Sequence, residues 1–274
     1  MGYLGLGNLY EVTKDNVEDH IDHIVNWIKK YFVKNGPDCK AVIGISGGKD
    51  SSIAAALCVR ALGPDKVFGV LMPQGAQHDI DVAYDVCKDL GIQYCTVNIG
   101  ETCSALYKAL DIGYCSEDYE RSIMGNSVVT TNTPARIRMT TLYAIAAVVG
   151  GRVCNTCNAS EDYIGYSTKY GDSVGDFSPL SKYTVRDLLI IGEALDELDN
   201  RYVHKTPEDG MCGRSDEDNL GFTYDMLDSY ILDGVTPPYD QFKKISLLHE
   251  RNKHKLERMP ICYRYDGRGE GWTL

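Results

Sequence analysis

Ala41-Val42-Ile43-Gly44-Ile45-Ser46-Gly47-Gly48-Lys49-Asp50-Ser51-Ser52 is the stretch that decides how this chain folds. Its first five residues form an apolar, partly β-branched run, the pattern of a strand buried in a parallel sheet. Ser46-Gly47-Gly48 then turns the chain sharply. Asp50, Ser51 and Ser52 open a segment of helical composition that continues from Ile53 through Leu62. A strand, a glycine turn and a helix N-terminus gather several backbone N–H groups at one point, where the helix dipole adds positive potential. Such a nest suits a phosphate or pyrophosphate.

Two kinds of phosphate loop are separated by the details. A Walker A loop needs G-x-x-x-x-G-K-[ST]. Here Lys49 follows a glycine pair, but Asp50 stands where Ser or Thr belongs, and no glycine lies five residues before Gly48. The run instead resembles the S-G-G-x-D-S loop of ATP pyrophosphatases, a superfamily that cuts ATP between its α and β phosphates and passes AMP to a substrate.

Working outward, Val17, Ile21, Ile24, Val25, Ile28 and Phe32 recur at helical spacing with charges between them, which predicts an amphipathic helix over about 14–34. Gly36-Pro37-Asp38 ends it. Strands are expected at Ala41–Ile45, Val67–Met72, Gln93–Val97 and Arg152–Thr156. Helices are expected between them at Ser51–Leu62, Asp79–Leu90, Glu101–Leu110 and Pro134–Val149. This alternation predicts an α/β fold: a doubly wound, Rossmann-like parallel sheet with helices on both faces. Ligands of such sheets sit at the carboxyl ends of the strands, where Ser46 falls. No repeat or Pro/Ser-rich linker divides the 274 residues, so one domain over 1–274 is expected.

A net charge of −11 argues against a nucleic-acid partner, which needs a basic face. The ten cysteines are scattered singly, apart from Cys154-x-x-Cys157. That pair has no second pair or nearby histidines to complete a zinc site, and reads as two buried cysteines with thiol–disulfide chemistry as the alternative. The opening residues lack the cationic and apolar segments of an export signal, and no stretch approaches a membrane span. A cytoplasmic protein with reduced thiols is expected.

Beyond the phosphate loop, further blocks resemble ammonia-dependent NAD synthetase, a family of that superfamily with the adenine nucleotide α-hydrolase-like fold. They are Asn132-Thr133-Pro134-Ala135-Arg136-Ile137-Arg138-Met139, Asn155-Thr156 leading to Glu161, and Thr168-Lys169-Tyr170-Gly171-Asp172 with Asp176 and Pro179-Leu180. Leu220-Gly221-Phe222-Thr223-Tyr224-Asp225 and His254-Lys255 follow. The resemblance runs from about residue 20 to residue 262 and implies ATP-dependent amidation of deamido-NAD to NAD. The nicotinate carboxylate attacks the α-phosphate, pyrophosphate leaves, and ammonia displaces AMP from the adenylated intermediate. Larger relatives carry a glutaminase domain. Only about forty residues precede the loop here, so free ammonia, or ammonia from a separate protein, is the expected nitrogen donor.

The resemblance also implies roles. Gly44, Ile45, Ser46, Gly47, Gly48, Lys49, Asp50 and Ser51 would hold ATP, with Thr156 a further ATP contact. Asp50 and Glu161 would bind Mg²⁺ and are the catalytic residues. Read without the family, Asp50 is a helix cap, Glu161 a first-turn charge, Lys49 a solvated charge and Thr156 a strand residue. Two carboxylates make chemical sense, because an anion must approach a polyanion and a bridging metal offsets the repulsion. Arg136, Lys169, Asp176, His254 and Lys255 would contact deamido-NAD. Arg138, two residues from Arg136 on the same helix, points elsewhere and is expected to be structural.

Two positions depart from the family. A lysine that contacts ATP is replaced by Val185, with Lys182 and Arg186 both near enough in sequence to substitute. Glu208 stands at an ATP-contacting lid position where relatives often carry Thr or Ser. An acid there needs a metal, or a hydrogen bond to ribose or adenine. The polar segment 204–219 around it is expected to be a lid over the nucleotide. The resemblance further implies a homodimer. The nearly all-apolar run Thr140–Val149 must be covered on every side, by a second copy or by the chain's own core. Two other readings stay open: another adenylating enzyme of the superfamily (a tRNA thiolase or a GMP-synthetase-like amidase), or a nucleotide-binding module without chemistry.

Overall fold

The computed structural model describes residues 11–77, 79–113, 127–205, 215–257 and 259. Helix α1 (Val17–Asn35) precedes strand β1 (Lys40–Gly44), helix α2 (Lys49–Leu62) and strand β2 (Val67–Leu71). Then come α3 (Ile80–Asp89), β3 (Gln93–Thr96), α4 (Gly100–Gly113), α5 (Ser127–Val149) and β4 (Gly151–Val153). The remaining helices are α6 (Ala159–Ile164), α7 (Val185–Ala194), α8 (Asn200–Val203), α9 (Asp216–Leu220), α10 (Tyr224–Asp233) and α11 (Tyr239–Asn252). A 3-10 turn, Lys253–Lys255, continues from α11.

The four strands pair in parallel in the order β3-β2-β1-β4. Both faces of β1 are covered, which is why its sequence is continuously apolar. Ala41, Ile43 and Ile45 pack into a core shared with α1, α2, α3 and α7. Val42 turns the other way, into a core with residues of α4 and α5. The six apolar positions of α1 are all buried, as their spacing predicts. A third core joins α6, α7, α10 and α11 beyond the sheet's carboxyl edge. From β1 the chain winds outward through β2 to β3, then returns to the other side of β1 as β4. The carboxyl ends of β1 and β4 therefore flank the point where the winding reverses, the crevice in which such sheets bind ligands.

Two elements differ from the sequence reading. The fourth strand ends at Val153, not Thr156: the Cys154 amide still reaches the Val42 carbonyl of β1 at 2.9 Å, and a returning segment pairs along the other edge. Asp176 accepts the Val153 amide at 2.7 Å and donates its own amide to the Val153 carbonyl at 2.8 Å. The Asn155 amide reaches the Phe177 carbonyl at 2.8 Å. Helix α5 begins at Ser127 and carries Pro134 inside it instead of at its start. Proline has no N–H for the carbonyl four residues earlier. That carbonyl, on Thr130, accepts the Tyr107 hydroxyl at 3.4 Å.

The junction of β1 and β4 has no room to spare. A Cβ on Gly151 would lie 2.4 Å from Val42 Cγ2 and 3.0 Å from the Lys40 carbonyl oxygen. Gly151→Ala is expected to destabilise the protein by about 1–3 kcal/mol. Urea unfolding should show a lower midpoint with an unchanged slope.

Candidate active site

The turn after β1 is built as its sequence requires. Gly47 has φ +78°, and a Cβ there would come within 3.1 Å of the Ala83 amide nitrogen and 3.2 Å of Val82. Only glycine fits both the conformation and the space. The Ser46 hydroxyl accepts the Gly48 amide at 3.2 Å and lies 3.2 Å from the Ser51 hydroxyl. The Ser51 and Ser52 hydroxyls donate back to the Gly48 carbonyl at 3.1 and 2.9 Å. The hydroxyls thus hold the loop's shape. Gly48 caps α2 with no side-chain hydrogen bond, whereas α6, α7, α9 and α10 all begin on a side-chain cap. The first amides of α2 are left for an anion.

Across the crevice, the β4–α6 connection carries Thr156 and Asn158. Asn158 is fully buried and caps α6: its side-chain oxygen accepts the Glu161 amide at 2.9 Å, and the Glu161 carboxylate accepts the Asn158 amide at 3.2 Å. The Asn158 amide group also reaches Asp50 Oδ1 at 3.3 Å. One buried asparagine therefore ties together the two acids that sequence reasoning assigned to the metal. Burial first, and then the Asp50 carboxylate, push the Glu161 carboxyl well above the usual carboxylate range. Lys49 is not a solvated charge. It is buried, its ammonium lies 2.9 Å from Asp50 Oδ2, and it sits 5.7 Å from the Tyr224 ring centre. Its burial would release the proton, but Asp50 and then Glu161 outweigh that and hold it.

The donor set suits a hard divalent cation. Magnesium takes one or two carboxylates and completes its shell with phosphate oxygens and waters. Among the described residues no group of three or more acidic, His or Cys side chains forms a fuller cage. The Tyr224 hydroxyl is buried without a hydrogen-bond partner among the described residues, and burial, followed by the Glu161 carboxylate, pushes its ionisation upward. A hydroxyl so placed can meet a water or oxygen brought in by a ligand.

A second cluster collects four of the five residues expected to hold the dinucleotide. Arg136 Nε donates to the Lys169 carbonyl at 3.2 Å. Lys169 Nζ donates to the His254 carbonyl at 2.5 Å. Lys255 Nζ donates to the carbonyls of Gly165 and Ser167 at 2.7 and 2.9 Å. Asp176 stands apart, accepting from the Val153 amide and from the Tyr143 hydroxyl at 3.4 Å. Arg138 points away from Arg136, as expected, donating to the Met72 carbonyl at 3.2 Å.

Of the two candidates beside Val185, Arg186 is committed to α10, 2.8 Å from Asp233 and 2.6 Å from the Ser229 hydroxyl. Lys182 remains, with its charge acting on Asp162. Cys154 and Cys157 are free and buried, and burial holds both thiols protonated. Glu208 lies outside the described residues, as does the stretch 206–214 of the expected lid. Sequence reasoning gave no role to Asn158 or Tyr224. The spacing Asn158-x-x-Glu161 is a capping signature and was the available signal for the first.

The raised Glu161 carboxyl has a consequence for stability. Its folded-state value lies above the 4.5 of an ordinary glutamate, so the ionised form opposes folding at neutral pH. That penalty fades as pH falls through the folded-state value and is gone below the unfolded one. Glu161→Gln keeps an acceptor for the Asn158 amide and removes the charge. In EDTA at pH 8 it should melt about 2–6 °C above the parent, with the gap closing toward pH 5.

Comparison with known proteins gives the family. The NAD synthase family model matches residues 20–260. The NH(3)-dependent NAD(+) synthetase of Alkaliphilus metalliredigens (strain QYMF) is 34% identical over 244 residues, covering 88% of this chain and 96% of that protein. The enzyme of the same name from Thermococcus sibiricus (strain DSM 12597 / MM 739) is 37% identical over 234 residues, covering 80% and 87%. Among solved structures, NMN synthetase from Francisella tularensis superposes with a TM-score of 0.79 at 29% identity, covering 91% of this chain and 99% of that one. With this match over most of its length, the chain belongs to the NAD synthase family.

Proposed function

We propose that this protein is an ATP-dependent, ammonia-using NAD synthetase, folded as one domain. It amidates deamido-NAD to NAD and releases AMP and pyrophosphate. The observation that carries the reading is the α2 N-terminus, with no side-chain cap, whose own first-turn Asp50 is joined by one buried asparagine to Glu161 across the crevice. The loop from Gly44 through Ser51 holds the phosphate chain of ATP, and Thr156 and Glu208 contact the nucleotide. Asp50 and Glu161 hold Mg²⁺, which when bound neutralises phosphoryl charge. Arg136, Lys169, Asp176, His254 and Lys255 hold the dinucleotide. Arg136 uses its Nε on the Lys169 carbonyl, and its guanidinium is a suitable partner for a phosphate.

The chemistry needs no protein nucleophile. The nicotinate carboxylate attacks the α-phosphate, the bond to the β-phosphate oxygen breaks, and pyrophosphate departs. Ammonia then attacks the acyl carbon, loses a proton and expels AMP. The protein's part is to align two anions and to offset their repulsion. The described cysteines are all free thiols, which suits a cytoplasmic setting. No described helix is long and apolar enough to cross a membrane.

A homodimer is part of the proposal. Within one chain α5 is covered on one side only. Ala146 is buried against the sheet, while Ala144, Ala147 and Val148 are exposed, Val148 by 82%. Among the described residues nothing covers that apolar side, and a second copy would. Light scattering at micromolar concentration should give twice the 30.4 kDa chain mass; a single-chain mass removes the dimer.

One observation favours a second acceptor. The Francisella tularensis protein, whose fold this chain shares over 99% of its length, is named an NMN synthetase. Nicotinate mononucleotide presents the same carboxylate to the same chemistry. The deciding assay supplies ATP, Mg²⁺ and ammonium with either deamido-NAD or nicotinate mononucleotide and measures amide product, AMP and pyrophosphate. Deamido-NAD should give the higher kcat/KM, and glutamine should fail as nitrogen donor. Asp50→Asn should lower kcat/KM at least about a hundredfold. Preference for the mononucleotide would reassign the substrate, and a fully active Asp50→Asn would remove the site.

A further inference from the structure

A lysine ammonium inside a proposed cation site is unusual, because it competes with the cation. Lys49 is only 5% exposed, and its nitrogen lies 2.9 Å from Asp50 Oδ2, one of the oxygens a metal would need. The field of Glu161 acts on it as well, followed by that of Asp216 at the start of α9. The Tyr224 ring lies 5.7 Å from the ammonium and limits its access to water. Asp50 Oδ1 takes only the longer 3.3 Å bond from Asn158, so the ion pair with Lys49 is the stronger tie on this carboxylate. A buried pair of this kind is costly to break on one side alone, because the remaining charge is left unmatched.

We infer that Lys49 is the resident counter-ion of the Asp50–Glu161 pair, and that a divalent cation enters only by displacing its ammonium from Asp50. The inference rests on the proposed role of those acids. The displacement makes the nucleotide-free protein a poor metal binder. It reserves cation binding for the moment when phosphate oxygens arrive to share both the cation and the freed ammonium. No bond forms or breaks; one cation replaces another on the same oxygen. Lys49 is thus a positioning residue that sets the order of binding, a role distinct from simply attracting phosphate.

The test is Mn²⁺ binding to the full-length protein without nucleotide, followed by electron paramagnetic resonance of the free ion. Lys49→Met fills the same space without charge and should tighten Mn²⁺ at least about tenfold. Lys40→Met, at the far end of β1, removes a charge bonded to Gln93 and should change it less than about twofold. Unchanged or weaker binding by a folded Lys49→Met overturns the inference and leaves the metal site standing. Mn²⁺ binding that ignores Asp50→Asn removes the metal site itself. Should Lys49→Met fail to fold, labelling of the parent with acetic anhydride decides. Lys49 should react more slowly than Lys40 in EDTA and severalfold faster in excess Mg²⁺, read by mass spectrometry. Equal rates in the two conditions overturn the inference.

Discussion

Among the described residues no side chain caps the amides at the start of α2. A buried strand and a buried helix must be joined within Ser46-Gly47-Gly48, and the cap position of α2 falls to Gly48, which has no side chain to cap with. Gly47 is pressed against Val82 and Ala83 of α3, and the serine hydroxyls are spent on the loop's own backbone. The donors and the helix dipole therefore point into the crevice between β1 and β4. Everything else about the site can be read as an answer to that electrostatic demand.

The acids beside that N-terminus, Asp50 in its own first turn and Glu161 across the crevice, make the answer conditional. Asp50 and Glu161 are drawn toward one another by Asn158, an arrangement that raises the proton affinity of Glu161 and opposes folding at neutral pH. A fold that keeps such a pair is selected for something other than stability. Lys49 lessens the conflict from within the same helix turn. Behind the pair, α6 is anchored through Ser160, whose hydroxyl lies 2.5 Å from the buried Asp228 of α10 and accepts the Val185 amide at 2.9 Å. The carboxylate pair is thus backed by the packing of α6 against α7 and α10.

The second cluster is built on a different principle. Arg136, Lys169 and Lys255 come from three separate stretches and are linked mainly by side chains donating to backbone carbonyls of the 165–169 loop and of His254. These are contacts that a phosphate or carboxylate can replace, so a ligand bound there would be coupled to the loop's shape. Asp176 serves the sheet, closing the end of β4 where the expected strand stops.

Much of this was legible in the residues alone. The apolar run into Ser-Gly-Gly specified strand, turn and helix, because only a doubly buried strand is so uniformly apolar and only glycine tolerates the turn. The six buried positions of α1 followed from helical spacing, and the resemblance to a known family singled out Asp50 and Glu161, which the fold brings to one asparagine. Contacts between distant segments were not legible. That Asn158 binds both acids depends on β1 and β4 being neighbours, and strand order is set by packing, not by any local pattern. That Lys49 is an interior cation depends on Tyr224, some 175 residues away in the chain, closing over it. A charge declares its chemistry in the sequence, whereas its degree of burial, and so its energy, belongs to the assembled molecule.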